Sequence, residues 1–435
     1  MKKTKKTKKS VGKRKTIAIV GIGYVGLPLA CLCANKGYKV FGIGKDRDKI
    51  AMVNAGISPI KDRPLQIDVK KQLIEATDDY RVIKKAGIVI ICVPTPVDDL
   101  YTPDLGPVRS ASEGVQKNLT KGQLVIVEST INPGVCEEVV LPILERQGKK
   151  VGRNFYLAHC PERINPGDKK WKVHNIPRVV GAFTSRGLAM AVKFYESILN
   201  APVRPMKTIK EAEATKIVEN SFRDINIAFV NELARSFDRL GIDVHEVIQG
   251  AATKPFAYMP HYPSIGVGGH CIPVDPYYLI EKAKLLGFDH EFLKLARVIN
   301  NRMPYYGVKA LQRNLNTIKK SVKGTKVGVL GLSYKADVGD MRETPTKKVI
   351  EYLKVLEAEV HLYDPHFLEL STERSLDELL EKVEAIILCT NHKEFVEMDL
   401  NKLKKNKIKV IIDGKNCWDK EAITKLGIIY KGIGR

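Results

Sequence analysis

No run of 18 or more apolar residues occurs in this 435-residue chain, so no segment reads as a membrane-spanning helix. There is no CxxC pair and no His/Cys cluster at metal-ligand spacing, and no metal site is expected. The eight cysteines (31, 33, 92, 136, 160, 271, 389 and 417) are scattered, which argues against a disulfide scaffold and for free thiols in a reducing compartment. Acidic residues are in deficit, 49 against 72 Lys and Arg, for a net charge of +23. Nine of the positive charges lie in the first fifteen residues, leaving +14 for the rest, a balance suited to anionic ligands. The opening MKKTKKTKKSVGKRKT has no apolar stretch after it, so it does not read as a secretory signal, and a cytoplasmic protein is expected. This basic segment reads as a disordered, solvated extension (1–15) with no dedicated nucleic-acid or membrane partner, although a polybasic tail is chemically able to hold either. What remains is ordinary globular material, 44% hydrophobic and 28% charged, long enough for about three domains.

The pattern along the chain is α/β. TIAIVGIGYVGLPLACLCANKGYKVFGIG, from Thr16, reads as strand, glycine turn, helix and strand, with Gly37 closing the helix. GIVIICV (87–93) and LVIVE (124–128) read as buried strands of the same parallel sheet, and FYLAH (155–159) and RVVGA (178–182) continue the alternation. A doubly wound domain over 16–205 follows. From about Ile209 to Leu240 the pattern is helical without Pro or Gly, and more helix follows, broken by MPHYPSIGVGGHCIPVDP (259–276). A third unit starts near Lys323 with TKVGVLGLSYK, then helix 346–357 and strands EVHLYDP, AIILCT and KVIIDGKN. The expected layout is two Rossmann-like doubly wound sheets, 16–205 and 323–435, joined by a long central helix and a helical domain, 206–322.

Four features carry chemistry. Gly21-Ile-Gly23-Tyr24-Val25-Gly26 follows a strand and opens a helix, the context in which such a turn cradles a pyrophosphate. The carboxylate expected at the end of the second strand, to hold the ribose hydroxyls, is missing: Gly44 stands there, and Asp46 is the nearby acid. VPTP (93–96, with Pro94 and Thr95) and Glu128-Ser-Thr130 end strands at the edge where such sheets bind ligands. Cys271 sits in Gly266-Val-Gly268-Gly-His-Cys-Ile-Pro-Val-Asp275, a loop open to a close-approaching ligand; a nucleophilic thiol and a plain loop cysteine are both compatible with it. Lys216, Asn220 and Arg223 fall at i, i+4 and i+7, on one helix stripe, for which a solvated face is the default. Glu162, in Pro161-Glu162-Arg163 after FYLAH, is a further carboxylate at a strand end.

Together GIGYVGLPLA, VPTP, ESTINPG, PERINPGD, EATKIVENSFRDINIAFVNELA, GVGGHCIPVDPYYL and GLSYKADVGDMRETP resemble the UDP-glucose/GDP-mannose dehydrogenase family, in the family's order from about residue 16 to 420. Within it, PERINPGD and NSFRD are most similar to the enzymes that oxidise UDP-N-acetylhexosamines. The resemblance implies four-electron oxidation of the sugar C6 hydroxyl to a uronate for polysaccharide or glycan precursor synthesis, with NAD as cofactor and UDP-N-acetylglucosamine as the expected substrate. The N-acetylgalactosamine epimer is not separated from it by these motifs, UDP-glucose and UDP-N-acetylmannosamine are alternatives, and a non-catalytic nucleotide-sugar binding protein is the rival from another class. By the same resemblance Cys271 is the nucleophile, passing through a thiohemiacetal and a thioester. Lys216 and Asn220 steady an oxyanion, and Asp275 and Glu162 organise water and proton transfer. Cofactor contacts are implied for Gly21, Gly23, Tyr24, Val25, Gly26, Asp46, Pro94, Thr95 and Thr130. Substrate contacts are implied for Arg163, Arg223, Gly268, Lys335 and Arg342. The central helix is the implied core of a homodimer, which is itself able to build a higher homo-oligomer.

Four departures from the family's pattern stand out: Gly44 for an acidic residue, Lys415 for Arg, His159-Cys160 for Tyr-Ser, and Ser264-Ile265 for Gly-Pro. Gly44 leaves use of NADP open, since the missing charge is the one that repels a 2′-phosphate.

Overall fold

Short β-branched runs build two sheets in the computed structural model, which describes residues 16–60, 62–98, 102–164, 168 and 170–435. The basic segment 1–15 and the centre of PERINPGD lie outside the described residues. The chain divides into two compact units inside the long helix Ile209–Leu240, one ending at Ile217 and the other starting at Val218.

In the first unit, eight strands form one sheet: β1 (Thr16–Val20), β2 (Lys39–Ile43), β3 (Ile74–Thr77), β4 (Ile88–Ile91), β5 (Gln123–Val127), β6 (Phe155–His159), β7 (Arg178–Ala182) and β8 (Val203–Pro205). Their order is β3-β2-β1-β4-β5-β6-β7-β8. The chain leaves β1 in one direction and resumes at β4 in the other, so the ligand crevice of such a fold lies outside the carboxyl ends of β1 and β4. Apolar side chains on both faces, such as Ile17, Ile19 and Ile126 on one and Val89, Val125 and Val127 on the other, explain why these strands read as continuous hydrophobic runs.

One expectation is corrected here. RVVGA does not continue the parallel sheet: β7 pairs antiparallel with β6, His159 opposite Gly181. No helix lies among the described residues between His159 and Arg178, and without a crossover element the chain cannot return to start a parallel neighbour. The edge strands β3 and β8 gave little sequence signal, being four and three residues long and partly exposed.

The second unit holds the rest of the long helix, further helices, and a wholly parallel sheet of β9 (Lys326–Leu330), β10 (Glu359–Tyr363), β11 (Ala385–Leu388), β12 (Val410–Asp413) and β13 (Ile429–Gly432), in the order β10-β9-β11-β12-β13. Among the described residues, no helix is long and apolar enough to cross a membrane.

Candidate active site

The three glycines of the β1 turn are demanded by different things. Gly21 has φ +100°, donates to the Ile43 carbonyl at 2.8 Å, and would bring a Cβ to 2.5 Å from the Cys92 carbonyl oxygen. A Cβ on Gly26 would lie 1.8 Å from the Gly21 carbonyl oxygen. The chain's own packing therefore requires both. A Cβ on Gly23 would meet nothing within 4 Å, so its absence serves no contact inside the protein and leaves room for a ligand. The helix that follows, Gly26–Asn35, has neither a side-chain cap nor an acidic residue in its first turn, which leaves the positive end of its dipole to an anion. These residues fit a dinucleotide pyrophosphate.

The neighbouring strand ends close the same edge. The Ser129 hydroxyl donates to the Val93 carbonyl at 2.7 Å, tying the β4 and β5 loops together; Thr95 is buried, Thr130 half-buried, and Pro94 and Tyr24 exposed. Asp46 is exposed and caps the helix Arg47–Asn54, accepting from the Lys49 N–H at 3.1 Å; that bond holds its carboxyl below the usual carboxylate range. Gly44, two residues earlier, is hemmed by Ile22 and Ile50.

Glu162 is buried, and both of its oxygens are engaged. Oε1 accepts from the N–H groups of Arg163 (2.6 Å) and Ile164 (2.7 Å), and Oε2 receives the Arg178 guanidinium at 2.6 Å. Arg178 is wholly buried, with Glu128 on its other side at 4.0 Å and Tyr195 donating to Glu128. Burial pushes the Glu128 carboxyl up to about 7. Sequence reasoning placed Glu162 at the site but did not single out Arg178 or Tyr195. The available signal was a charge at the border of an apolar run, Glu128 closing LVIVE and Arg178 opening RVVGA. Arg163 turns its guanidinium to the Pro177 carbonyl at 2.8 Å. His159 and Cys160 are both fully within the core, and burial lowers the His159 pKa to about 3, so that imidazole is neutral.

The stripe on the long helix is not a solvated face. Lys216, in the first unit, and Asn220, in the second, are both buried, while Arg223 is exposed. In the second unit, Asn220 Nδ2 donates to Asp275 Oδ2 at 2.5 Å, and the Asp275 N–H donates to the Cys271 carbonyl at 2.8 Å. Of the eight cysteines Cys271 is the exposed one; Cys417 is half-buried and the others are buried, with burial pushing Cys31 and Cys389 up to about 12. A thiol held protonated in that way is a poor nucleophile, and Cys271 differs from these in being exposed. Gly268 is packed against Tyr334, Glu343 and Pro345, each within 2.9 Å of where a Cβ would sit, so here the glycine serves the chain's own contacts. Lys335 is half-buried, and the Arg342 guanidinium is gripped by Asp340, with NH2 to Oδ2 at 2.6 Å. Lys415 lies just past β12, where burial lowers its pKa.

Asp337, His366 and His392 are close enough to share a cation, but both His392 nitrogens are already engaged, Nδ1 by the Asp337 N–H at 2.9 Å and Nε2 by Asp364 at 3.1 Å.

Three family models match in succession: the NAD binding domain of the UDP-glucose/GDP-mannose dehydrogenase family over residues 15–199, its central domain over 210–302 and its UDP binding domain over 328–420. The chain is 36% identical to a UDP-N-acetyl-D-mannosamine dehydrogenase of Pyrococcus horikoshii, over 96% of this chain and 99% of that protein. It is 37% identical to a UDP-N-acetyl-D-glucosamine 6-dehydrogenase of Pseudomonas aeruginosa, over 89% and 93%. A solved structure of the UDP-N-acetyl-D-mannosamine dehydrogenase from Pyrococcus horikoshii is similar with a TM-score of 0.90 at 34% identity, covering 97% of this chain and 99% of the other. With the glycine turn, the strand-end loops and the exposed cysteine in the places described, the chain belongs to the UDP-glucose/GDP-mannose dehydrogenase family, a family of NAD-dependent nucleotide-sugar oxidoreductases.

Proposed function

We propose that this protein oxidises the C6 hydroxyl of a UDP-N-acetylhexosamine to the uronate. The observation that carries the reading is Cys271: an exposed thiol among buried ones, in a loop whose far end is fixed by the buried Asn220–Asp275 pair. Addition of the Cys271 sulfur to the C6 aldehyde gives a thiohemiacetal, and its oxidation gives a thioester that water hydrolyses. Holding the aldehyde covalently keeps it from escaping between the two oxidations. The Lys216 ammonium and the Asn220 amide are the donors suited to a developing oxyanion, and Asp275 is the carboxylate suited to orient water. Glu162 contributes through its fixed position, since Oε1 holds the backbone of Arg163 and Ile164 and Oε2 is held by Arg178. NAD supplies the hydride acceptor, twice per turnover; the β1 turn, Thr95 and Thr130 are the groups we assign to holding it. Arg163, Arg223, Lys335 and Arg342 are the polar groups we assign to the sugar nucleotide, in the company of the +14 charge outside the tail.

UDP-N-acetylglucosamine is the first candidate substrate. The manno epimer is the second reading, favoured by the greater coverage of the Pyrococcus horikoshii relative. Following NADH at 340 nm with a panel of UDP-sugars tests both. Two NADH per uronate with one N-acetylated sugar is the expected result; activity with UDP-glucose alone, or with none, overturns it.

We also infer a homodimer built on the second unit. Val218, Phe222 and Phe229 of the long helix and Phe292, Leu295 and Val298 of the helix Glu291–Asn301 are exposed apolar side chains, the kind that an interaction surface would cover. A groove of about 380 Å³ beside Phe222 and Phe229, floored by Val230 and Tyr258, lies in the same region. Light scattering on the purified protein should give twice the 48.6 kDa chain mass, and a monomer would remove the inference.

A further inference from the structure

The loop carrying Cys271 is fastened at its upstream end in a way that uses Ser264 and Ile265, one of the places where this chain departs from its family's pattern. The Ser264 N–H donates to Asn231 Oδ1 at 2.9 Å on the long helix, and Asn231 Nδ2 donates to Asn300 Oδ1 at 2.9 Å. Asn300 in turn donates to Asp224 at 2.8 Å, and Asp224 is the buried partner of Arg297. Ser264 is therefore anchored to a buried network, not to solvent. The next residue, Ile265, donates its N–H to the Gly414 carbonyl at 3.1 Å, at the end of β12 and beside Lys415. A proline at 265 could not make that bond. The Ile265 side chain is 1% exposed, seated between two glycines. A Cβ on Gly307 would lie 2.7 Å from Ile265 Cδ1, and one on Gly414 would lie 2.9 Å from Ile265 Cβ. Further along, the Gly269 N–H donates to the Arg342 carbonyl at 3.0 Å.

We propose that Ile265 is a positioning residue for Cys271: its side chain in the Gly307–Gly414 slot and its N–H on Gly414 latch the cysteine loop to the strand end that carries Lys415. The latch rests on the reading of Cys271 as the reacting thiol. It acts through geometry alone. A side chain filling a slot between two glycines has one seat, because the packed interior leaves it no second one. Five residues lie between Ile265 and Cys271, and the Gly269 bond to Arg342 shortens the free span between them. Displacing Ile265 moves the sulfur relative to the bound sugar without touching either, and a shift on the scale of 1 Å is enough to cost about a hundredfold in rate.

The test uses the full chain as wild type, Ile265→Ala, Ile265→Val, Gly307→Ala and the Ile265→Ala/Gly307→Ala double variant, with Leu311→Ala as a control for a buried aliphatic loss in the same core. Turnover and KM are measured with the best UDP-sugar, and the rate of Cys271 alkylation by iodoacetamide is measured with and without UDP. Each single variant should lose about 10- to 100-fold in kcat with KM within about threefold, and alkylation of Cys271 should change in both. The double variant, which puts a methyl back into the slot from the other side, should recover at least part of the loss. Ile265→Val should stay near wild type. The proposal is overturned if Ile265→Ala leaves both kcat and alkylation unchanged. It is equally overturned if Leu311→Ala reproduces the same pattern, which would make the effect one of core stability. Should wild type oxidise no UDP-sugar while alkylation still responds to Ile265→Ala, the latch stands and the catalytic reading falls.

Discussion

Asn220 Nδ2 and Asp275 Oδ2 lie 2.5 Å apart, both buried, in the stretch that fixes the downstream end of the Cys271 loop. A buried carboxylate is sensitive to the loss of an amide donor. Asn220→Asp would set two carboxylates against each other, and like charges at that separation cannot both ionise. We expect Asn220→Asp to lose turnover by at least about a hundredfold and to lose stability as pH rises past the carboxylate range. Asp275→Asn keeps the shape and removes the charge, so it should fold normally and lose turnover only. Equal loss of stability in the two variants would show that the pair is structural.

Cys271→Ala should abolish uronate formation, whereas Cys33→Ala, in the buried helix after the β1 turn, should leave it within about threefold, costing stability instead. Product analysis by mass spectrometry separates the two. Uronate formed at near-normal rate by the Cys271 variant would remove the covalent mechanism.

Glu128 gives a pH signature of the first unit. Desolvation lifts its carboxyl to about 7 from the 4.5 of a free glutamate, in spite of Arg178. A carboxyl raised in the folded state holds its proton more tightly there than when unfolded. Its contribution is complete below pH 4.5 and is lost as pH rises through about 7. Glu128→Gln removes that dependence, so the stability of wild type relative to the variant should fall across this window, by at most about 1.4 kcal/mol per pH unit. Urea unfolding at several pH values measures it. A flat difference would mean that Glu128 stays ionised throughout.

We expect cofactor choice to turn on Gly44. The missing carboxylate removes a bond to the ribose and a repulsion of a 2′-phosphate, and Lys45 and Arg47 stand beside the gap. Asp46, the substitute acid, is occupied as a helix cap. We expect NAD to be used with weakened discrimination against NADP, and Gly44→Asp to raise the NAD/NADP efficiency ratio by about 10- to 1000-fold. Room for the change is tight, since a Cβ would lie 3.2 Å from Ile22 Cγ1. Gly44→Ala therefore serves as the steric control and should leave the ratio unchanged. A wild type that rejects NADP as strongly as Gly44→Asp does would show that the position is no determinant.

The sequence by itself determined the local features of this protein. Apolar runs of β length gave the central strands of both sheets, the spacing Gly21, Gly23, Gly26 gave the turn, and thirty residues without Pro or Gly gave the long helix. All of these follow from near-neighbour sterics and periodicity. It also marked Cys271, because a cysteine in a loop just after a glycine pair is unlike one in a strand. Tertiary structure alone decided the rest. The direction of β7 depends on what connects it to β6, which no property of RVVGA encodes. The burial of Lys216 and Asn220 on a stripe that reads as solvated depends on what the fold lays over that stripe. The joining of Glu128, Glu162 and Arg178 needs three strand ends brought side by side, and the seat of Ile265 needs glycines 42 and 149 residues further along the chain. Desolvation and packing act between residues far apart in sequence, so their outcome becomes visible only when the chain is folded.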